Sequence, residues 1–159
     1  MRPPLHVSYS RAYPVSLDDA FSHTLVLPLD QLFCRRFGPL PPIASTTQDG
    51  VWSTAGQVRT IHTADGGSMR EQLVEVDRPN SFSYELSEVT GPMKPLASRV
   101  EGRWTFEEVG TGARVTWSWT VHPASKLSGL ILPIFGKLWT GYARRSFETL
   151  EQLLLEATA

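Results

Sequence analysis

Apolar and polar side chains alternate over much of the middle of the chain. Residues 113–122 show this most clearly, because Trp117 and Trp119 share one side with Val115 and Val121 while the intervening positions are polar. A two-residue period places alternate side chains on opposite faces of a β-strand. Similar runs, divided by turn residues and continuing from Ile43, predict an antiparallel meander. The predicted strands include residues 6–13, 57–64, 68–77, 81–89, 98–109 and 113–122.

Two short helices are predicted between the first strand and the rest of the sheet. Ser16 has the position of an N-cap for the first helix, and Pro28 ends it. Residues 29–37 repeat apolar side chains at helical spacing before a Gly-Pro pair stops the run. Cys34 would be a small buried neighbour of that apolar side.

A long C-terminal helix is predicted after Pro123. Ser125 is its expected N-cap, and Pro133 is expected to bend it. Apolar residues recur every three or four positions, which places them along one face. The members of this predicted face are Leu127, Ile131, Ile134, Leu138, Tyr142, Phe147, Leu150 and Leu154.

These elements predict an α+β fold in one domain that covers residues 1–159. An antiparallel sheet of six to seven strands with one apolar face needs a cover, and only the C-terminal helix is large enough to provide it. A curved sheet closed by one helix leaves a space, because wide aromatic side chains do not interdigitate as closely as leucine or valine. We therefore expect an apolar internal cavity.

The charge balance argues against nucleic acid as a partner. The chain carries 15 basic and 16 acidic side chains, and its net charge is -1. Such a chain offers no long-range field to attract phosphate backbones. The most apolar stretch, residues 127–139, is shorter than the ~20 residues that span a bilayer. We therefore expect no nucleic-acid partner and no integral membrane segment, while a homodimer stays open.

Metal and redox chemistry find little support in the sequence. Cys34 is the only cysteine, which excludes an internal disulfide and fits a reducing compartment. The four histidines are scattered, and no two of them have the spacing of metal ligands on a helix. The N-terminal residues lack the apolar run of a secretion signal. The sequence thus predicts a cytoplasmic protein without a metal or another cofactor.

Several motifs resemble the polyketide cyclase/dehydrase branch of the START and birch-allergen (SRPBCC) superfamily. They are Gly56-Gln57-Val58-Arg59, Asp65-Gly66 leading to Arg70-Glu71-Gln72-Leu73, Asp77-Arg78-Pro79 with Tyr84, and Gly110-Thr111-Gly112 leading to Trp117. The resemblance covers nearly the whole chain and implies the helix-grip fold. Because these motifs are turns and core aromatics, they specify the fold far better than the ligand.

The resemblance implies three kinds of function. Members of the superfamily bind lipids, sterols, polyketides or plant hormones, so a hydrophobic small molecule is the expected partner. Other members cyclise or dehydrate polyketides, which would need an arginine or tyrosine to polarise a carbonyl group. A third group comprises interaction modules of coenzyme Q biogenesis or ribosomes, which an exposed apolar patch near residues 130–139 would favour. No catalytic constellation stands out, so binding ranks first.

Arg59 and Glu71 form the candidate polar anchor of the cavity. A charged side chain in an apolar cavity is costly unless it is paired or contacts a ligand. If residues 65–67 form a three-residue loop, Arg59 opposes Leu73, and Glu71 is its diagonal neighbour on the same face. A two-residue turn would separate the two charges. The alternative role is an ordinary ion pair of the sheet.

Aromatic side chains on the predicted inner face form the candidate cavity wall. Tyr142 is the expected hydroxyl donor to a bound carbonyl or hydroxyl group. Ordinary core packing is the competing interpretation for each of these residues. The candidate ligand-binding residues are Phe33, Phe37, Arg59, Glu71, Leu73, Tyr84, Leu86, Trp104, Trp117, Leu138 and Tyr142.

Overall fold

A curved, seven-stranded antiparallel sheet grips one long helix in the computed structural model, which describes residues 3–159. The strands are β1 (Leu5–Tyr13), β2 (Ile43–Thr47), β3 (Val58–Thr63), β4 (Ser68–Asp77), β5 (Ser81–Ser87), β6 (Ala97–Val109) and β7 (Gly112–Pro123). The α-helices are α1 (Leu17–Val26), α2 (Leu29–Leu32) and α3 (Lys126–Ala157), and Gly91–Met93 form one turn of 3-10 helix.

The strands follow one another as a meander, except that the first strand joins the last. Their order in the sheet is β1-β7-β6-β5-β4-β3-β2. The β1–β7 pairing extends from Leu5 opposite Val121 to Tyr13 opposite Ala113. This order leaves β1 and β2 at the two edges, with α1 and α2 in the connection between them. The α+β helix-grip fold expected from the sequence is confirmed.

The alternating sequence pattern separates the two faces of the sheet. In β6, the side chains of Val100, Trp104 and Phe106 are buried with Gly102, while the residues between them are exposed or half-buried. An antiparallel sheet with this period packs one face on the core and presents the other to solvent. The inner face predicted for residues 98–109 is therefore confirmed.

Serine caps begin both longer helices at the predicted positions. The Ser16 hydroxyl accepts a hydrogen bond from the Asp19 N–H at 3.1 Å. Ser125 and Ser128 cap α3 reciprocally, each side chain accepting from the backbone N–H of the other. The helix continues through Pro133 to its end. Within residues 3–159, no helix combines the length and the apolar character needed to cross a membrane.

The second helix is shorter than predicted. It ends at Leu32 rather than at Phe37. The backbone carbonyl of Phe33 accepts a hydrogen bond from the Ile43 N–H at 2.8 Å, so the chain is drawn toward β2 at this point. One turn of helix leaves most of its backbone groups without intrahelical partners, and pairing with the sheet satisfies this carbonyl instead.

An irregular segment replaces the rest of that predicted helix. Phe37 and Leu40 exchange two backbone hydrogen bonds around Gly38, whose φ of +56° is readily adopted by glycine. The Phe37 ring lies against α3 at Gly141, where a Cβ would be 2.2 Å from Phe37 Cζ. Cys34, expected to be buried, is exposed. Helical periodicity was therefore misleading after the first turn.

The N-terminal half of α3 is rotated relative to the prediction. Leu132, Phe135 and Trp139 are buried, whereas Leu127 and Ile134 are 68% and 62% exposed. Apolar residues occur on nearly every side of this half, so the helical period does not identify the buried side. The predicted members of the buried face that are buried are Tyr142, Phe147, Leu150 and Leu154.

Candidate ligand-binding site

A cavity of about 320 Å³ lies between the inner face of the sheet and the three helices, partly open to solvent. Pockets that hold small molecules commonly have volumes of about 300–1,000 Å³ and mainly apolar walls. Both the strands and the helices contribute such walls here. Apolar lining residues include Ile61, Met69 and Leu86 from the sheet, and Leu25, Leu32 and Phe135 from the helices.

Four tryptophans form one continuous wall of this cavity, which we call the tryptophan wall. Trp117 is central, with its ring centroid 5.5 Å from that of Trp104, 5.5 Å from Trp119 and 4.6 Å from Trp139. Trp104 and Trp117 are direct partners across β6 and β7. All four residues line the cavity. The rings pack on one another with interplanar angles to Trp117 of 16°, 75° and 35°, so the wall is an aromatic cluster that borders the cavity.

Gly102 allows the ring of Tyr84 to lie across the sheet. The two residues are opposite each other in β5 and β6, and a Cβ at Gly102 would lie 2.0 Å from Tyr84 Cζ. The phenol therefore reaches β7, where its oxygen accepts hydrogen bonds from Trp117 Nε1 and Trp119 Nε1, both at 2.8 Å. Tyr84 lines the cavity. The glycine thus fixes the position of a hydroxyl group on the tryptophan wall.

Arg59 and Glu71 form a buried ion pair in the lining. Arg59 Nε donates to Glu71 Oε1 at 2.7 Å, and the two side chains are only 5% and 4% exposed. The guanidinium also lies 4.0 Å from the ring centroid of Trp52 and donates from Nη1 to Gln48 Oε1 at 3.3 Å. Each charge thus has an opposite charge as its partner, which buried charges require.

The two charged residues face each other directly across a hairpin. Arg59 is opposite Glu71, and the predicted register, with Arg59 opposite Leu73, is wrong. The Thr63 N–H donates to the Gly67 carbonyl at 3.0 Å, so residues 64–66 form the three-residue loop. Because this moves the pairing by two residues, the side chains keep their faces. The pair therefore shares one face, as predicted for a three-residue loop, although the predicted register is wrong.

Burial changes the acidity of Glu71 and Tyr84, which both line the cavity. It raises the pKa of the Glu71 carboxyl, and the Arg59 guanidinium opposes that rise. Burial also raises the pKa of the Tyr84 phenol, and the charge on Glu71 adds to the effect. Loss of solvation disfavours the charged form of either group. Tyr84 is consequently a neutral hydroxyl at physiological pH and keeps its hydrogen.

Tyr142 uses its hydroxyl within the chain. Its oxygen is 3.0 Å from the carbonyl oxygen of Pro41, to which it donates a hydrogen bond. Its ring stacks on Phe33, with the centroids 5.9 Å apart. A phenol has a single hydrogen to donate. The bond ties the connector before β2 to α3 and leaves Tyr142 no hydrogen for the ligand contact expected from the sequence.

Most of the candidate residues come together around the cavity. Phe37 and Leu73 do not: Phe37 lies against Gly141, and Leu73 is fully buried in the core. Contact of any of the lining residues with a ligand stays a prediction. The candidates that line the cavity are Phe33, Arg59, Glu71, Tyr84, Leu86, Trp104, Trp117, Leu138 and Tyr142.

Other lining residues were missed although the sequence carried a signal for them. Ile61 and Met69 are two positions from Arg59 and Glu71, so the period of the strands places them on the same face. Trp139 was missed because the wrong side of α3 was chosen. It follows Leu132 and Phe135 at helical spacing.

Two polar atoms of the lining residues have no hydrogen-bond partner within the described chain. They are Thr24 Oγ1 and Trp139 Nε1, both buried. An unpaired buried polar group costs about 1–3 kcal/mol. The lining therefore contains polar atoms that the described residues leave unsatisfied.

Among residues 3–159, no three His, Cys, Asp or Glu side chains are grouped so that they could hold a metal ion.

One protein-family model matches the sequence over most of its length. The model is described as "Polyketide cyclase / dehydrase and lipid transport" and matches residues 5–154. This range contains all seven strands and most of α3, and hence the whole lining of the cavity. No curated protein sequence matches the chain.

Solved structures share the fold at low sequence identity. Norcoclaurine synthase of Thalictrum flavum, a point mutant in complex with a transition-state analogue, has a TM-score of 0.72 and 13% identity, covering 100% of this chain and 99% of that chain. A protein of Thermus thermophilus has a TM-score of 0.69 and 18% identity, with coverages of 98% and 100%. Major latex-like protein 151 of Panax ginseng has a TM-score of 0.69 and 12% identity, with coverages of 94% and 97%. Identities this low show likeness of fold alone.

Proposed function

Because the chain belongs to the polyketide cyclase / dehydrase and lipid transport family, we propose that it binds a hydrophobic small molecule between the sheet and α3. The molecule would be a lipid, a polyketide or another aromatic metabolite. The observation that carries this proposal is the cavity of about 320 Å³ with the tryptophan wall on one side. Each Å² of apolar ligand surface removed from water there stabilises the complex by about 25 cal/mol before the costs of association.

Exposed apolar residues near the opening support the entry of such a ligand. Ile131 and Ile134 are 44% and 62% exposed and also line the cavity. Leu127 and Leu130, on the same half of α3, are exposed as well. Exposed apolar patches mark ligand grooves as well as protein interfaces. Since this patch continues into the cavity, it favours ligand binding over the alternative of a protein-interaction module.

Titration with flavonoids, fatty acids, sterols and aromatic polyketides is expected to change the intrinsic tryptophan fluorescence, because four of the five tryptophans line the cavity. The double variant Ile61→Phe/Met69→Phe should weaken binding about tenfold or more, since added ring volume occupies space that the ligand needs. Fluorescence titration and equilibrium dialysis measure both effects.

The matched control is Val58→Phe/Val74→Phe. These valines lie on the same two strands, but their side chains are 40% and 54% exposed and do not line the cavity. This variant should bind as the unsubstituted protein does. A flat fluorescence response across the whole panel, or equal weakening by the two double variants, would contradict the proposal.

The buried carboxyl of Glu71 favours a second candidate, an aromatase/cyclase or dehydratase that acts in the same cavity. Burial raises its pKa above the usual value of a carboxyl, and such a shift is typical of carboxyls that transfer protons in active sites. Arg59 would polarise a substrate carbonyl. Turnover of a poly-β-ketone mimic that is lost in both Glu71→Gln and Arg59→Ala, with folding intact, would establish this activity. Absence of turnover by the unsubstituted protein would count against it.

A further inference from the structure

The hydroxyl group of Tyr84 has a hydrogen that no described residue accepts. A phenol oxygen has two acceptor lone pairs and one O–H hydrogen, and an indole N–H can only donate. Trp117 and Trp119 both donate to this oxygen, so they occupy both lone pairs. Within residues 3–159, the two indoles are the only groups that form a hydrogen bond with this hydroxyl. An acceptor for its hydrogen must therefore come from outside the described residues.

Other buried tyrosines do not share this property. Tyr13 donates its hydrogen to the carbonyl of Phe147 at 2.7 Å, and Tyr142 donates to that of Pro41 at 3.0 Å. Tyr84 is only 7% exposed, so bulk solvent has little access to it. A buried donor without an acceptor is costly. The cavity that Tyr84 lines is the place from which an acceptor can come.

The surroundings of the Tyr84 hydroxyl determine which groups donate and which accept in its hydrogen bonds. The Tyr84 ring lies in the space left by Gly102, and the two indoles that donate to it are held by their own packing in the tryptophan wall. Reversing the roles would require an indole nitrogen to accept a hydrogen bond, which it cannot do. Toward a ligand in the cavity, Tyr84 can therefore act only as a hydrogen-bond donor.

The charges in the lining favour a neutral ligand. Arg59 and Glu71 compensate each other at 2.7 Å. A charged ligand would lose its hydration in this poorly solvated site without gaining an uncompensated counter-charge from the pair, which is costly. The other charged lining residue is Asp65, whose carboxylate accepts hydrogen bonds from Thr63 Oγ1 and the Gly67 N–H, and the rest of the wall is mainly apolar and aromatic.

We propose that the ligand is a neutral aromatic molecule with a carbonyl-type oxygen, and that this oxygen accepts a hydrogen bond from Tyr84. This inference rests on the proposed binding function and specifies the ligand class for it. A carbonyl oxygen placed there satisfies the unused hydrogen while the rings of the ligand contact the apolar and aromatic lining.

Three matched pairs of ligands test the inference: 9-fluorenone with fluorene, benzophenone with diphenylmethane, and 1-tetralone with tetralin. Within each pair, only the carbonyl group differs from a methylene group. Equilibrium dialysis should show that the ketone of at least the best-fitting pair binds about 5- to 20-fold more tightly than its hydrocarbon, the value of one well-placed hydrogen bond. Tyr84→Phe should abolish that preference. Tyr13→Phe is the matched control and should retain it, because Tyr13 does not line the cavity and its hydroxyl donates to the Phe147 carbonyl.

Tyr84→Phe also leaves the Trp117 and Trp119 N–H groups without their acceptor, so a second measurement is made on the unsubstituted protein. In protein labelled with ¹³C at tyrosine Cζ, saturation with the ketone should shift the Tyr84 signal, and the hydrocarbon should leave it nearly unchanged. An unmoved Tyr84 signal at saturation, or equal binding within every pair, would overturn the inference but leave the binding function standing. Failure of all six compounds to bind would count against both proposals.

Discussion

Replacing Glu71 by leucine alone is expected to lower the free energy of unfolding by about 3–5 kcal/mol, because it leaves the Arg59 guanidinium buried without its counter-charge. Arg59 is only 5% exposed, and Glu71 is its one carboxylate partner among the described residues. The contacts with Trp52 and Gln48 remain but do not replace a negative charge. Urea denaturation measures the loss.

The double replacement Arg59→Met/Glu71→Leu tests whether the stability lost in Glu71→Leu is due to the unpaired charge of Arg59. It removes both charges and fills the space with apolar groups, so most of the lost stability should return, and the result should lie within about 1–2 kcal/mol of the unsubstituted protein. If Glu71→Leu alone were as stable as the unsubstituted protein, the burial of this pair would have to be rejected. Recovery in the double variant, accompanied by altered ligand binding, would indicate that the pair serves the ligand rather than the fold.

Substituting Gly102 by alanine is expected to lower the free energy of unfolding by about 2–4 kcal/mol. The new Cβ would lie 2.0 Å from Tyr84 Cζ, so the ring must move. Its movement breaks the hydrogen bonds from Trp117 and Trp119. In most strands the same substitution is neutral or stabilising, because glycine loses more conformational freedom on folding than alanine. Thermal and urea denaturation provide the measurement.

A double-mutant cycle isolates the cause. In a Tyr84→Ala background the ring is absent, so Gly102→Ala should cost almost nothing. Gly136→Ala in α3 serves as a control, since its Cβ would meet only side-chain atoms of Leu5 and Val7 at 3.4 Å or more. That substitution is expected to be neutral or to stabilise the helix by up to about 1 kcal/mol. Equal costs of Gly102→Ala in the two backgrounds would show that the Tyr84 ring is not the obstacle.

The site residues on the β-strands could be predicted because the two-residue period of a strand fixes which face each side chain occupies. Tyr84 was placed on the inner face in this way, whereas the face of Glu71 was left to depend on the hairpin register. The same period says nothing of depth along a strand, and Leu73 illustrates the limit. It shares a face with Glu71, yet it is wholly buried in the core and does not reach the cavity.

The helical part of the site was harder to predict, for two different reasons. In α3 the apolar residues surround the helix, so only the fit against the sheet selects Phe135 and Trp139 as inward. The prediction that Phe37 lines the cavity was wrong because backbone pairing with the sheet ended α2 earlier than its apolar spacing suggested. Tertiary contacts overrode a weak local preference in both places.

The free hydrogen of Tyr84 could not have been found from the sequence at all. Alternation placed Tyr84, Trp117 and Trp119 on one face, but it did not show that both indoles donate to the same oxygen. That conclusion requires the distances and a count of lone pairs. Tyr142, the donor expected from the sequence, instead has its hydroxyl bonded to the Pro41 carbonyl.

The tryptophan wall has an optical consequence. Its indole rings are spaced by 4.6 to 5.5 Å around Trp117, so their transition dipoles interact, and light absorbed by one ring is passed among its neighbours. Trp52 lies over Arg59 instead and is the separate chromophore of the chain. The four tryptophans of the wall therefore contribute to the near-ultraviolet circular dichroism and to the emission as a coupled unit, to which Trp52 adds its own signal.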